Sequence, residues 1–242
     1  MRGCPPPFNQ PRALPPHPRV YLVLLEHGAD TETRDDDSFS KFSPLDLTSR
    51  GHLEVVQMLL EHHADVNSSD KNVGYTALHW ASMYGQAAIA RVLLAKGADV
   101  NAKKWDDQTP LHWASNDGVT RVLLEYGADP NARDSDNHTP LHRAMRRESA
   151  EAARVLLENG MDANARDSRN QTPLHLASQF GSLDGVRRRS LLQQGADIHA
   201  RDFEGRTPFQ VASAPARRYT FGKYQDVMQL LLEHGAEDHR TR

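Results

Sequence analysis

The sequence predicts an all-α repeat solenoid, in which helix-turn-helix units are joined by short β-hairpin loops. Three observations support this architecture. A phrase that opens with threonine recurs about every 33 residues, the phrase Leu-Leu-x-x-Gly-Ala-Asp follows it, and apolar residues spaced three and four apart lie between the two. Each unit buries only part of its apolar face, so neighbouring units must stack to complete a core.

The threonine phrase has the chemistry of a helix start. Its first residue is an N-cap whose hydroxyl accepts a backbone N–H, and proline suits the first helical position because it lacks an N–H. A glycine such as Gly85 or Gly118 is expected to reverse the chain with a positive φ, and Gly97 is expected to end the second helix. Close copies of the phrase begin at Thr76, Thr109, Thr139 and Thr172, and looser copies begin at Ser43 and Thr207.

The phrase Thr-Pro-Leu-His-x-Ala at this spacing resembles the ankyrin repeat, and the resemblance covers about residues 20–242. It implies a curved, right-handed stack that recognises a partner protein, as a scaffold, an adaptor or a substrate-selecting module. The alternative is that the array is the targeting or sensing part of a larger protein, such as a ubiquitin-ligase subunit or a kinase, whose catalytic part lies outside this chain.

We expect residues 1–19 to form a disordered, proline-rich tail and residues 20–242 to form the array, with a partial first unit at 20–30. The unit that starts at Thr109 is three residues short, and we expect the loss between Gly118 and Val122, at the start of its second helix. Extra residues are expected near 187–189 and around 215–222. The helix pairs are predicted at about 43–63, 76–97, 109–127, 139–160, 172–195 and 207–235.

Four in-register histidines raise the question of a metal site. Metal ligands must converge within about 2 Å of one ion, whereas equivalent residues in stacked units lie about 10 Å apart. We therefore expect no metal, and the resemblance implies that each histidine ties its loop to a helix start. These histidines are His79, His112, His142 and His175.

Composition and motifs exclude several functional classes. Cys4 is the single cysteine, and the sequence has no glycine-rich phosphate loop, H-E-x-x-H or G-x-S-x-G, so we expect neither an enzyme nor a cofactor. A net charge of −3 gives no basic field for nucleic acid, and the longest apolar run is too short for a membrane span. We expect a monomer in the cytoplasm, or alternatively in the nucleus.

The loop tips and the ends of the first helices vary while the frame repeats, and in ankyrin-like proteins these two sets line the concave groove that binds partners. Arginines gather on one stretch of this groove, which predicts a partner with an acidic segment; a solvated polar face is the alternative. Trp80 and Trp113 lie inside first helices and are expected in the core. The candidate partner-binding residues are Tyr84, Lys103, Trp105, Asp106, Arg133, Arg146, Arg147, Arg166, Arg169, Phe180 and Phe203.

The N-terminal tail carries a second candidate motif. Arg12, Pro15 and Pro18 match the R-x-x-P-x-x-P form that SH3 domains bind in the polyproline II conformation. Such matches are common in proline-rich tails, so a plain linker is the alternative.

Two asparagines resemble sites at which ankyrin repeats are hydroxylated. They are Asn67 and Asn101, each preceded by an aspartate two residues earlier and a leucine eight residues earlier. Hydrogen bonding across the loop is the alternative role for both side chains.

Overall fold

The structure is a computed structural model that describes residues 18–33, 43–147, 149–180, 191–213 and 221–237. Its described part consists of helices joined by turns, without a regular strand. An isolated antiparallel bridge joins Ser69 to Thr76 within one loop. The predicted all-α solenoid is confirmed, while the loops in the described ranges are tight turns rather than paired strands.

A lone helix, α1 (Pro18–Glu26), precedes six units that we number from the N-terminus, and each unit has a first and a second helix. The first four pairs are α2 (Pro44–Thr48) with α3 (Leu53–Glu61), α4 (Ala77–Met83) with α5 (Ala87–Ala95), a 3-10 helix (Pro110–Trp113) with α6 (Asp117–Glu125), and α7 (Pro140–Arg147) with α8 (Ala150–Glu158). The fifth unit has α9 (Pro173–Phe180) with helical residues 191–193, and the sixth has α10 (Pro208–Ala212) with α11 (Phe221–Glu233).

A continuous column of apolar side chains runs through the stack. One large side chain per first helix occupies the same position and is almost fully buried in each unit, and burial of such a side chain contributes roughly 1.5–3 kcal/mol. The second helices supply partners from the other side, so each unit completes the core of its neighbour. The residues of the first helices are Leu45, Leu78, Leu111, Leu141, Leu174 and Phe209, and those of the second helices include Leu59, Leu93, Leu123, Leu156 and Leu231.

The short third unit differs from our prediction. We expected the three missing residues at the start of its second helix, and this prediction is wrong. The second helix, α6, keeps nine residues and is capped by Asn116, whose Oδ1 accepts the N–H of Val119 at 3.0 Å. The first helix is shortened instead, to a four-residue 3-10 helix. Gly118 lies inside α6 without a positive φ, whereas Gly85 has a φ of 68° as expected.

The turn that follows the 3-10 helix is fastened to the second unit. Ser115 donates from its backbone nitrogen and its Oγ to the carbonyl oxygen of Ser82, at 3.3 and 3.2 Å. Asn116 Nδ2 donates to the carbonyl oxygen of Gly85 at 3.0 Å. These bonds hold the shortened unit against its predecessor where a longer first helix is missing.

Asparagine side chains link the ends of consecutive second helices. Asn101 Nδ2 donates to the carbonyl oxygen of Gly127 at 3.4 Å, while its Oδ1 accepts the N–H of Asp129 at 2.8 Å. Asn67 and Asn164 bond in the same way to the following units. Asn131 holds the equivalent position after the third unit, but its side chain makes no such bond to the fourth. We call each two-bond link an asparagine rung.

Several expectations lie outside the described residues. They concern Arg12 and Pro15 of the tail motif, the extra residues near 187–189, and most of the insertion at 215–222. Pro18 is the first residue of α1. None of the described helices has the length and apolar character that crossing a membrane requires.

Candidate protein-binding face

Four threonine–histidine pairs fasten the first helices of the second to fifth units, each to the loop of the next unit. In each pair the threonine N–H donates to histidine Nδ1 at 3.1–3.3 Å, and histidine Nε2 donates to a loop carbonyl at 3.0–3.2 Å. This pattern places the ring proton on Nε2. The pairs are Thr76 with His79, Thr109 with His112, Thr139 with His142, and Thr172 with His175.

Burial keeps these histidines neutral. It lowers the pKa of His79, His112 and His142 from 6.5 to about 4, because a charged ring would lose its hydration. The pKa of His175 is lowered for the same reason. Across the described ranges, no cluster of histidine, cysteine and carboxylate side chains has the arrangement needed to hold a metal ion.

An aspartate organises most of the loops by accepting backbone N–H groups. Asp134 Oδ1 accepts from residues two and four positions later, Asp136 and His138, at 3.0 and 2.8 Å. Asp167 and Asp202 accept the same two bonds in their own loops, and Asp70 accepts from the residues two, three and five positions later.

Lys104 replaces this aspartate in the loop before the third unit. Its side chain is 3% exposed, and Nζ donates to Asp106 Oδ1 at 2.6 Å. Nζ also lies 5.1 Å from the centroid of Tyr75 and 5.8 Å from that of Trp113. Burial lowers the pKa of this lysine, while the Asp106 carboxylate acts in the opposite direction.

A buried charge network links the fourth and fifth units. Arg143 takes the first-helix position of Trp80 and Trp113, and it binds Asp134 Oδ2 through Nε at 2.7 Å and through Nη2. His138 lies between two buried carboxylates, with Nδ1 3.5 Å from Asp134 Oδ1 and Nε2 3.3 Å from Asp167 Oδ2. Burial alone would lower the pKa of His138, but these carboxylates raise it above its usual value.

Backbone hydrogen bonds join consecutive loop tips into one ridge. The N–H of Trp105 donates to the carbonyl oxygen of Val73 at 3.0 Å, and that of Phe203 donates to Arg169 at 3.1 Å. Between them, the N–H of Ser135 donates to Asp106 at 2.9 Å, and that of Ser168 donates to Asp136 at 3.0 Å. We call this line of residues 71–73, 105–107, 135–137, 168–170 and 203–205 the tip ridge.

The two aromatic residues of the tip ridge are exposed to an unusual degree. Trp105 and Phe203 each expose 76% of their surface. Tryptophan is enriched among the residues that dominate protein interfaces, so the exposed Trp105 is the stronger of these two candidates for contact with a partner. Tyr84 and Phe180, at the ends of α4 and α9, are about half as exposed, at 40% and 37%.

The predicted arginines divide into two groups. Arg133 and Arg166 stabilise the loops, because each donates through Nη1 to a carbonyl of its own loop and to one of the next loop, at 2.8–3.1 Å. Arg146 and Arg147 lie over aromatic rings, at 5.8 Å from Phe180 and 3.3 Å from Trp113 respectively. Arg169 is exposed, and its side chain makes no ion pair with any described residue.

Other predicted side chains are already paired within the array. Lys103 Nζ lies 3.2 Å from Asp107 Oδ1, and both side chains are more than half exposed. Asp106 accepts from Lys104 and, through Oδ2, from Gln108 at 2.9 Å. These charges are therefore neutralised internally, which makes them weaker candidates for partner contact than Arg169.

Aromatic side chains of neighbouring first helices, and of a residue just before one of them, contact one another. Tyr75 lies 4.8 Å from Trp80 and 5.4 Å from Trp113 between ring centroids, and Arg50 covers Trp80 at 4.3 Å. Trp80 is buried as expected, whereas Trp113 is half-buried. We call Tyr84, Trp113, Arg146, Arg147 and Phe180, at the ends of these helices, the inner face.

Three residues of this region were missed at the sequence level. Lys104, Arg143 and His138 build the buried charge contacts, and each departs from the repeated phrase at a fixed position. Lys104 stands where other loops have aspartate, and Arg143 stands where other first helices have tryptophan, leucine or valine. Comparing the units position by position would have marked both residues, because each introduces a positive charge at a position where the other units have an aspartate or an apolar side chain.

Comparison with sequence families supports the repeat assignment. The family described as "Ankyrin repeats (3 copies)" matches residues 17–104 and 103–167, and that described as "Ankyrin repeats (many copies)" matches residues 156–212.

Individual relatives match over part of the chain. The chain is 36% identical over 104 residues to palmitoyltransferase AKR1 of Lachancea kluyveri. This matched segment covers 41% of this chain and 14% of that protein. The chain is 41% identical over 91 residues to the B-cell lymphoma 3 protein homolog of Mus musculus, which covers 37% and 20%. It is also 36% identical over 81 residues to Delta-latroinsectotoxin-Lt1a of Latrodectus tredecimguttatus, covering 34% and 7%. The matched segments thus span at most a fifth of these longer relatives.

Proposed function

Because the chain belongs to the ankyrin repeat family, we propose that it recognises an acidic segment of a partner protein along the tip ridge and the inner face. Ankyrin repeat arrays are in general binding modules without catalytic activity, so the proposed role of this array is to select and hold a partner. One observation supports the location above the others: Trp105 and Phe203 are 76% exposed on the tip ridge.

The charges of this face favour an acidic partner. Arg169 on the tip ridge and Arg146, which lies 5.8 Å from the centroid of Phe180, make no ion pair with any described residue. Guanidinium groups that lack a carboxylate partner remain available for bidentate contacts. The arginines on the surface of the second helices, which we call the outer surface, do have carboxylate partners. Arg91 is paired with Glu125 at 3.0 Å, and Arg121 with Glu158 at 3.3 Å.

Photo-cross-linking tests the location. A benzophenone amino acid at position 105 is expected to capture a discrete partner, whereas the same group at position 126, at the end of α6, is expected to capture none. Equal capture from both positions would contradict the proposal.

Charge reversal tests the chemistry with the captured partner. We expect Arg146→Glu with Arg147→Glu to weaken binding by tenfold or more, on the order of the effect of like charges in an interface. Arg91→Glu on the outer surface serves as the matched control and is expected to bind normally. Unchanged binding by the double variant would reject the acidic segment.

A second candidate is that the array targets a larger protein to its substrate. The observation that favours it is length, because the matched segments span 7–20% of the relatives, and one of these is named a palmitoyltransferase. An immunoblot of native tissue tests this candidate. A band well above 27.1 kDa would support it, and a band at that mass would contradict it.

The proposed setting is the cytoplasm or the nucleus, with the array acting as a monomer. A single cysteine in 242 residues suits a reducing compartment, which supports this setting. Sedimentation equilibrium of the purified chain tests the monomer, and a mass of twice 27.1 kDa would contradict it.

A further inference from the structure

We infer that the tip ridge acts as a two-point ruler, which binds an extended partner segment carrying two bulky apolar side chains about 30 Å apart, each beside an acidic residue. The inference rests on the proposed function and extends it, because it specifies the conformation and the spacing of the bound segment. Trp105 and Phe203 are the two anchors.

The anchors occupy the same position in their loops, four residues before the threonine of the phrase. In the two loops between them this position holds Ser135 and Ser168, which present little apolar surface. The apolar surface that a partner could contact is therefore concentrated at two points three units apart. The stretch between them carries small polar side chains at this position. Such a pattern matches a segment that is held at two places rather than along its whole length.

The spacing of the anchors is fixed by the backbone. Each tip from Trp105 to Phe203 donates an N–H to the carbonyl oxygen of the preceding tip, at 2.9–3.1 Å. Stacked helices lie about 10 Å apart, so three steps separate the anchors by about 30 Å. A ligand with flexible spacing would not need this rigidity, whereas a ruler depends on it.

The loop tip bonded to each anchor carries a cation. Lys71 lies two residues before Val73, whose carbonyl accepts the Trp105 N–H, and the Arg169 carbonyl accepts the Phe203 N–H. Neither Lys71 nor Arg169 forms an ion pair with a residue in the described ranges. The acids near the anchors are paired within the array: Asp107 with Lys103 at 3.2 Å, and Glu204 and Asp202 with Arg206, which they share, at 2.7 and 2.8 Å. Charge complementarity thus places one acid of the partner near each anchor.

The ridge favours an extended segment over a helix. An extended chain covers 30 Å in about nine residues, whereas a helix needs about 20 residues and is about 10 Å wide. The ridge between the anchors is a single line of loop tips without an apolar groove, because serine occupies the intermediate positions. A narrow extended chain can follow this line, while a helix would lack apolar contacts along most of its length.

Fluorescent peptides with proline spacers provide a direct test. Each peptide carries Asp-Phe at both ends and 3 to 21 prolines between, since polyproline rises about 3.1 Å per residue and is stiff. Fluorescence polarisation with the full chain is expected to show the tightest binding at about eight prolines, because the two phenylalanines are then about ten residues, or about 30 Å, apart. The gain over a peptide with one Asp-Phe should be about 100-fold, as two linked contacts commonly give.

Anchor variants identify the two points. Trp105→Ala and Phe203→Ala should each remove the spacing optimum and return affinity to that of the one-ended peptide. Tyr126→Ala, which removes an aromatic that is 40% exposed at the end of α6, should retain the optimum. Thermal melting by circular dichroism should be the same for all three, because the replaced side chains are exposed.

The outcomes separate this inference from the proposed function. An optimum far from about eight prolines, no optimum, or an optimum that survives both anchor substitutions would overturn the ruler. A natural partner that loses binding to Arg146→Glu with Arg147→Glu, yet binds both anchor variants normally, would overturn the ruler and leave the proposed function standing.

Discussion

The guanidinium of Arg147 lies over the indole of Trp113, with its central carbon 3.3 Å from the ring centroid. Arg147 ends α7 of the fourth unit and Trp113 ends the 3-10 helix of the third, so this contact spans the junction where Asn131 forms no asparagine rung. A cation–π contact therefore joins two units that lack the amide link present at neighbouring junctions.

Removal of this contact should loosen the junction. We expect Arg147→Ala to lower the free energy of unfolding by about 1 kcal/mol and to speed hydrogen exchange in α6 and α7. Arg146→Ala should have a smaller effect, because that guanidinium lies 5.8 Å from the more exposed ring of Phe180. Equal effects of the two substitutions on urea unfolding would contradict the structural role of Arg147.

The asparagine rungs predict a contrast between two chemically identical substitutions. Asn101→Ala removes two inter-unit hydrogen bonds and should cost about 1–2 kcal/mol of unfolding free energy. Asn131→Ala removes none, and its effect should stay within about 0.5 kcal/mol. Urea denaturation of both variants measures the difference, and similar losses would show that the rungs contribute little.

Two glycines with a positive φ predict a second contrast. Gly85→Ala would place its Cβ 2.2 Å from Asn116 Nδ2, so the cap of α6 must move, whereas Gly97→Ala meets no atom within 4 Å. Both substitutions incur about 1 kcal/mol of backbone strain. Gly85→Ala should cost about 1 kcal/mol more, in line with loss of a helix cap. Midpoints of thermal unfolding that coincide would rule out the steric argument.

The threonine–histidine pairs predict acid lability. In the unfolded chain a histidine side chain binds its proton near pH 6.5. In the folded state His79, His112 and His142 bind theirs only near pH 4. The unfolding free energy should therefore decrease as the pH falls from 6.5 to 4, by up to about 3 kcal/mol per histidine. Urea titrations across this range measure the slope, and a flat profile would contradict neutral buried rings.

His138 predicts the opposite dependence at higher pH. Its carboxylate neighbours raise its pKa, so the stabilisation from the charged ring is present below pH 6.5 and is lost as the pH rises through the folded pKa. Asp134, Asp136, Asp167 and Arg143 are the charged groups that face it. We expect His138→Gln to abolish the alkaline decrease in unfolding free energy while the acid decrease remains. If the unfolding free energy of this variant still decreased with rising pH as in the original chain, His138 would not be the cause of that decrease.

The repeat frame was predictable because local chemistry specifies it. Each threonine–histidine pair occupies a fixed offset, so the helix starts and the loop attachments follow from the phrase itself. The third unit was misplaced because Gly118 mimics the turn glycine Gly85 in spacing from its threonine. A competing signal was present, since Asn116 followed by Asp117 is a strong helix start, and tertiary packing of a full-length α6 decided the outcome.

The charged contacts were harder to predict than the frame. Arg133 and Arg166 resemble binding residues in the sequence, yet both donate to carbonyls of consecutive loops. Their role depends on distances between units, which one-dimensional spacing does not contain. The exposure of Trp105 could be anticipated, because a loop tip has no neighbouring helix that could cover a large ring.

The absent rung at Asn131 also bears on how the array responds to force. When the two ends are pulled apart, the third and fourth units should separate before their neighbours, which divides the chain into two mechanical segments. Trp105 and Phe203 lie on opposite sides of this division, so a ligand attached to both would act as a tether across it. Tension in the chain and occupancy of the ridge would then oppose each other.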